Sequence, residues 1–256
     1  MQIHLSLENL PSSLKTPTAL AIGMFDGVHS GHHKLLSHLK ACSSHTTVLT
    51  FTNHPREIVS QGPAPLLLTD SFVKSSLFQM HGIDTLILIP FTKKIAALSY
   101  DDFLSLLLKK IFISDFVQGE GDAFGKNREG TFEKITSFGN KQGITTHFIP
   151  KLFIEKTPVS SSHIRNLIQE GNFTVAEAFL GKPYLLSIEA HKQKINASHL
   201  CLPPDGFYQF FSESKEPIIL QIQSDLKARW ILLPKAYSAP TLITSTLIEE
   251  FYKHHV

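Results

Sequence analysis

The chain has 256 residues, 42% hydrophobic and 18% charged, with a net charge of +2. That length holds one large domain or two unequal ones, with the ordinary composition of a soluble globular protein. So small a charge makes no case for a nucleic-acid or membrane surface, and the two cysteines, Cys42 and Cys201, form no CxxC pair that would support a disulfide framework or a cysteine zinc site.

In chain order, His4 to Leu7 reads as a short strand and Pro11 to Pro17 as a turn-rich connector. An apolar strand, Ala19 to Gly23, runs into the stretch Ile22-Gly23-Met24-Phe25-Asp26-Gly27-Val28-His29-Ser30-Gly31-His32. A helix is predicted from near Ser30, over 31–40, with Leu35, Leu36 and Leu39 on one face. Gly23 and Gly27 permit a tight turn and let a ligand come close to the main chain. The open N–H groups and dipole of the new helix favour an anion above that turn. His29 and His32 flank the position and can donate to phosphate oxygens without a permanent charge. This set suits nucleotidyl transfer. There the nucleophile belongs to the substrate, and the protein holds a triphosphate and stabilises charge at the α-phosphate. A metal site on His29, His32 and His33 is the weaker alternative, because no Cys, Asp or Glu accompanies them at ligand spacing.

Thr46 to Phe51 reads as a second strand, followed by Thr52-Asn53-His54-Pro55-Arg56 and a loop with Pro63 and Pro65. Either His54 faces a ligand or it only braces the turn that Pro55 shapes. Thr69 or Asp70 caps a helix to Met80, and Thr85 to Ile89 is a buried-type strand. Ser99 caps a helix with Phe103, Leu106, Leu107 and Ile111 on one face. A short strand, Asp115 to Gln118, leads into a glycine-rich loop over 119–130 that contains Gly121, Asp122, Phe124 and Gly125. Helix 131–141 and strand 144–149 follow. Strands alternating with helices predict an α/β domain, with a parallel sheet covered on both sides and ligands at the carboxyl ends of its strands. Every motif named so far falls at such an end.

At Ser160-Ser161-Ser162-His163-Ile164-Arg165 a further helix begins. Ser161 and Ser162 offer hydroxyls and N–H groups, Arg165 can fork two phosphate oxygens, and Ile164, Leu167 and Ile168 bury the opposite face. A plain serine cap with a surface arginine is the alternative. After Tyr184 the character changes. Residues 206–233 read as strands, with Ile218, Leu220 and Ile222 alternating, and a short helix is predicted from about Ile243 to Tyr252.

The string Gly-x-Phe-Asp-Gly-Val-His-x-Gly-His resembles the adenylyltransferase module of the bacterial bifunctional riboflavin kinase/FMN adenylyltransferases, the FAD synthetase family. Leu180-Gly181-Lys182-Pro183-Tyr184 and the serine-rich helix start also look like that family. The resemblance implies a Rossmann-like nucleotidyltransferase domain over 1–184. Residues 185–256 are then a small β-rich remnant of a riboflavin kinase-like barrel, the kinase half being degenerate or truncated. It implies FAD synthesis from ATP and FMN with Mg²⁺ and release of pyrophosphate. The alternatives are a bifunctional enzyme that also phosphorylates riboflavin, or a non-catalytic flavin or nucleotide binder. By resemblance His29, His32 and Arg165 are catalytic. Gly23, Phe25, Asp26, Gly31, His54, Asp122, Phe124, Ser161 and Ser162 bind the nucleotide or flavin, and no residue is a standing metal ligand. Two departures matter. Asn53 replaces a proline of the pattern, and Gly121 stands where the family has Asp or Asn, so Asp122 is expected to take over that contact from the next position. Small-molecule substrates, no nucleic acid, no membrane, and a monomer or weak homo-oligomer are expected. Met1-Gln2-Ile3-His4 carries no basic export signal, and no apolar run reaches bilayer length, so a cytoplasmic setting is expected.

Overall fold

The computed structural model describes residues 1–8, 10, 14–189, 191–212, 214–225, 229–233 and 241–245. By packing, the chain divides into two compact units. One is Met1–Pro65 with Ser75–Pro158, and the other is Leu66–Lys74 with Val159–Val256. Residues 159–184, grouped with the first domain on sequence, therefore pack with the second unit.

The first unit contains the strands β1 (Gln2–His4), β2 (Leu14–Ile22), β3 (Thr46–Phe51), β4 (Thr85–Ile89), β5 (Ile111–Gly119) and β6 (Thr145–Ile149). They form one sheet in the order β1-β4-β3-β2-β5-β6, and every neighbouring pair is parallel. The α/β expectation holds. β3 and β4 are buried along their whole length, which suits apolar runs inside a covered parallel sheet. Helices α1 (Ser30–Cys42), α2 (Arg56–Val59), α3 (Ser71–Met80), α4 (Lys93–Ala96), α5 (Tyr100–Leu108) and α6 (Phe132–Gln142) connect the strands. On one face Leu20, Ile22, Leu49, Phe51, Ile87 and Ile89 share a core with Phe103, Leu104 and Leu107 of α5 and Ile135 of α6. The alternate residues Ala19, Ala21, Val48 and Val117 are buried too, and α1 packs on β2 and β5.

Several boundaries differ from the sequence reading. The first strand is Gln2–His4 rather than His4 to Leu7, and β2 begins at Leu14, inside the expected connector. β5 starts four residues earlier than Asp115. Ile111, placed on the α5 face by periodicity, begins this strand instead. Leu104 takes the buried position that Leu106 does not, and Leu106 is exposed. Ser99 does cap α5, accepting from Asp102 N at 3.2 Å. Asp70 caps α3, accepting from Val73 N at 2.8 Å.

A two-stranded hairpin, β7 (Phe153–Ile154) with β8 (Thr157–Pro158), closes the first unit. The second unit carries α7 (Ser161–Gln169) and α8 (Phe173–Leu180), followed by β9 (Leu185–Ile188), β10 (Lys194–Asn196), β11 (Gly206–Ser212), β12 (Pro217–Ser224), β13 (Arg229–Leu232) and β14 (Thr241–Ser245). These six strands form an antiparallel sheet in the order β10-β13-β12-β11-β14-β9. On β12, Ile218, Leu220 and Ile222 are buried, as the alternation predicts. Residues 243–245, expected to start a helix, lie in β14, and the rest of that expected helix, 246–252, lies outside the described residues. No helix among the described residues is long and apolar enough to cross a membrane.

Candidate active site

Because the first sheet is wholly parallel, the carboxyl ends of its strands share one edge. From β2 the chain moves outward to β3 and β4 on one side and returns to β5 and β6 on the other. The gap between β2 and β5 is thus the point where the winding reverses, the usual ligand position in such sheets. A cleft of about 680 Å³ opens there, a volume within the range of small-molecule sites. Ile22, Gly23 and Met24 line it from the end of β2, and Phe51, His54 and Arg56 from the end of β3. Phe91 follows β4, while Asp122, Phe124 and Arg128 come from the loop after β5. The cleft thus has apolar and aromatic walls with two guanidinium groups and one carboxylate among its lining residues.

Gly23 was expected to supply unusual backbone freedom. Its role is space: a Cβ there would lie 3.1 Å from the Phe25 ring. The left-handed backbone sits at Phe25 (φ 49), Gly27 (φ 81) and Val28 (φ 41). Two non-glycine residues in that region, one of them β-branched, mark a strained turn of the kind found at functional sites. Phe25, Asp26 and Val28 are nevertheless buried, so packing holds the turn in place. Phe25 meets the His32 ring edge-on at 5.1 Å and the Phe78 ring at 5.6 Å.

His29 is the N-cap of α1, and the two histidines cap the helix reciprocally. His32 N donates to His29 Nδ1 at 3.3 Å, and His29 N donates to His32 Nδ1 at 3.2 Å. The rings stack with centroids 3.6 Å apart. In a neutral imidazole whose Nδ1 accepts, the proton sits on Nε2. The cap therefore sets both rings as Nε2–H donors at the first turn of α1. Gly31 lies within that turn.

At the end of β3, His54 is held by the chain around it. Its Nδ1 accepts from Arg56 N at 3.1 Å, and its own N donates to Glu57 at 3.1 Å. His54 thus braces the turn and also lines the cleft. Asn53, the residue that replaces the family's proline, ties this loop to the end of β4: it accepts from Phe91 N at 2.8 Å and donates to Phe91 O at 3.2 Å.

Asp122 folds back over Gly119. Its Oδ2 sits 2.6 Å from where a Cβ on Gly119 would be, so only glycine there leaves room for the carboxylate. Asp122 N donates to Gly119 O at 3.1 Å, and Gln118 Nε2 donates to Asp122 O at 2.6 Å. Loss of hydration raises its pKa to about 6, against the hydrogen bond from Gly119 and the charges of Arg128 and Lys151. Asp122 is nonetheless a solvent-exposed residue, so this shift implies little cost to the fold. Gly121 has φ +82, a conformation that an aspartate adopts only with strain. Asp122, the next residue, carries no such backbone restriction. Phe124 packs edge-on against Phe103 with ring centroids 6.0 Å apart.

The second unit holds the remaining candidates. Ser160, rather than Ser161 or Ser162, caps α7, accepting from His163 N at 3.3 Å. Ser161 and Ser162 occupy the first two helical positions. Ile164, Leu167 and Ile168 are buried as expected, and Arg165 is buried with them rather than lying on an open surface. The Cys201 thiol sits 3.5 Å from Arg165 O. Among the cleft residues, Arg56, Arg128 and Phe91 were not picked out from sequence. Arg56 directly follows the His54-Pro55 pair and Arg128 lies in the glycine-rich loop, so position was the only available signal.

Residues 12–163, more than half of the chain, match the sequence profile of FAD synthetase. The chain belongs to the FAD synthetase family. It is 28% identical over 192 residues to the bifunctional riboflavin kinase/FMN adenylyltransferase of Buchnera aphidicola subsp. Acyrthosiphon pisum, covering 73% of this chain and 61% of that protein. With the FAD synthetase of Listeria monocytogenes it shares 28% over 204 residues, 78% of this chain and 83% of that one. The chain spans about three fifths of the length of the bifunctional relatives it matches. A crystal structure of a macrolide-efflux protein from Streptococcus pneumoniae has a TM-score of 0.76 at 18% identity, over 98% of this chain and 93% of that one. At that identity the likeness speaks for the fold alone.

Proposed function

We propose that this chain makes FAD, transferring the adenylyl group of ATP to FMN. An oxygen of the FMN phosphate attacks the α-phosphorus. The bond from that phosphorus to the β-phosphate oxygen breaks, and pyrophosphate leaves with the electron pair. The observation that carries this reading is the reciprocal His29–His32 cap, which sets two neutral Nε2–H donors at the N-terminus of α1, the helix that follows β2; the two histidines are not themselves among the cleft-lining residues. Charge that develops on the α-phosphate oxygens meets donors already in place, so no reorganisation is needed at the moment of transfer. The aromatic and apolar walls of the cleft suit a flat flavin ring, and Arg56 and Arg128 suit a phosphate.

In this reading residues 1–184 carry the transfer, and Ser161, Ser162 and Arg165 of α7 are assigned to phosphate binding by family resemblance alone. Residues 185–256 are a kinase-like remnant with a structural role. Mg²⁺ neutralises triphosphate charge when bound. Asp122, the carboxylate among the cleft-lining residues, offers the hard oxygen that this ion prefers, and phosphate oxygens supply most of its other ligands. The setting is the cytoplasm, in keeping with two cysteines that form no disulfide, and the working form is a monomer or weak homo-oligomer. The test is incubation of purified protein with ATP, FMN and Mg²⁺, with products separated by chromatography. FAD and pyrophosphate in equal amounts support the proposal. FMN binding without FAD formation replaces it with a non-catalytic flavin binder.

A further inference from the structure

The last turn of α1, far from its capped end, carries a second group of ligand-type side chains. His38 and Cys42 are four residues apart and share one face of the helix. His147, in the middle of β6, completes a cluster in which one ligand atom from each residue lies within 4.8 Å of the others. His38 is exposed, and Cys42 and His147 are half-buried. The rings of His38 and His147 lie 5.0 Å apart.

Asp115 stands behind this cluster, with its Oδ1 2.9 Å from His147 Nε2. A fault in the sheet puts it there. The pairing of β2 with β5 runs Thr18 to Ile113 and then Ala19 to Asp115, so Ser114 is an extra residue. Ile111, Ile113 and Phe116 therefore all reach the α5 core, while Asp115 falls on the other face, the one that α1 covers. An acid turned in beneath a helix needs a partner, and adenylyl transfer gives Asp115 no task. The partner it has is His147.

We propose that His38, Cys42 and His147 form a zinc site, with Asp115 as the carboxylate that orients His147. With Nε2 donating to Asp115, the ring presents Nδ1 to a metal, and a carboxylate behind a histidine is the usual support of a zinc ligand. Two imidazoles and one thiolate match zinc and are a poor set for magnesium or calcium, which take oxygen ligands. Zinc bonds of about 2.0–2.3 Å place tetrahedral ligands roughly 3.3–3.8 Å apart. The cluster thus closes by side-chain rotation, chiefly of the exposed His38. Three protein ligands leave the fourth position to water. Cys42 is not committed to a disulfide. The site ties the end of α1 to β6, about 15 Å along the helix from His32. No spacing in the sequence announces it, because the third ligand comes from a strand more than a hundred residues away.

The test is metal titration of the full, metal-stripped chain. One equivalent of Co²⁺ should give a thiolate-to-cobalt charge-transfer band with tetrahedral d–d bands, and one equivalent of Zn²⁺ should bleach both. Cys42→Ser should abolish the charge-transfer band. Asp115→Asn should weaken Zn²⁺ binding about ten- to a hundredfold. His38→Ala changes an exposed side chain and leaves the fold intact by circular dichroism, so it tests the site even where Cys42→Ser does not fold. It should weaken Zn²⁺ at least about tenfold, on the same scale. The proposal is overturned if the folded chain gives no cobalt band, if the band survives in Cys42→Ser and so belongs to Cys201, or if His38→Ala binds Zn²⁺ as the parent does.

Discussion

His29 and His32 hold each other: each ring nitrogen Nδ1 accepts the other residue's backbone N–H, at 3.3 and 3.2 Å. One pair of hydrogen bonds both caps α1 and fixes the tautomer of each ring. Under the proposed transfer, catalysis and local stability are coupled at this position, and a substitution must separate them.

Under the proposed transfer, His32→Ala removes a donor that acts on charge developing in the transition state. It should lower kcat by about 10²–10³ with a smaller change in KM. It also removes half of the cap, which costs about 1 kcal/mol. His32→Asn keeps a short acceptor for His29 N but has no Nε2 donor. Its melting temperature should return toward the parent value while kcat stays low. A kcat that recovers together with the melting temperature would make His32 a structural cap only.

At the β5 loop, Gly119→Ala places a methyl group 2.6 Å from Asp122 Oδ2 and must push the carboxylate away. The expected result is the kinetic defect of Asp122→Ala, with little added loss when both changes are combined. Moving the acid back to the family position by Gly121→Asp meets a backbone of φ +82, so it should cost about 1–2 kcal/mol in stability. Additive kinetic losses in the Gly119→Ala, Asp122→Ala double variant would show that the two residues act separately.

Asp122 also makes a pH prediction. Folded, it holds its proton up to about pH 6, against 3.8 for an ordinary aspartate. Between those values the folded state binds more protons than the unfolded chain, so this residue's contribution to stability falls as pH rises. Asp122→Asn should melt slightly above the parent at pH 7, and the difference should close toward pH 4. Equal melting temperatures for the two proteins at pH 7 would place the carboxyl in water.

Phe124 forms part of the cleft wall and packs on Phe103. Phe124→Ala should raise the dissociation constant for FMN about tenfold, the scale of one lost aromatic contact, as read by flavin fluorescence. An unchanged FMN affinity with weaker ATP binding would assign the cleft to the adenine.

Riboflavin should not be phosphorylated by this chain. A phosphate cradle needs a close-approaching, glycine-bearing backbone, and Gly206 is the only glycine after Gly181. The one Pro-Thr pair in that region, Pro240-Thr241, has no glycine turn before it. Riboflavin, ATP and Mg²⁺ should yield neither FMN nor FAD. Enzyme-dependent FMN would reveal a phosphate site in residues 185–256.

The sequence by itself determined the α/β class, the bounds of β3 and β4, the cap at Ser99, and the turn that carries His29 and His32, while it left the α3 cap open between Thr69 and Asp70. These are local matters. Apolar alternation, a capping side chain and a motif of ten adjacent residues act over a few residues and leave their mark in order along the chain. Tertiary structure decided the rest. Gly23 makes room for a ring, because Phe25 turns back on it in space. The Ser114 bulge depends on pairing with β2, so the facing of Asp115 was not legible in its own strand. Arg56, Phe91 and Arg128 meet at one cleft because three parallel strands end at one edge. His38, Cys42 and His147 meet because α1 packs on β5, whose neighbour in the sheet is β6. Periodicity reports what lies next in the chain, while packing chooses which distant residues come together.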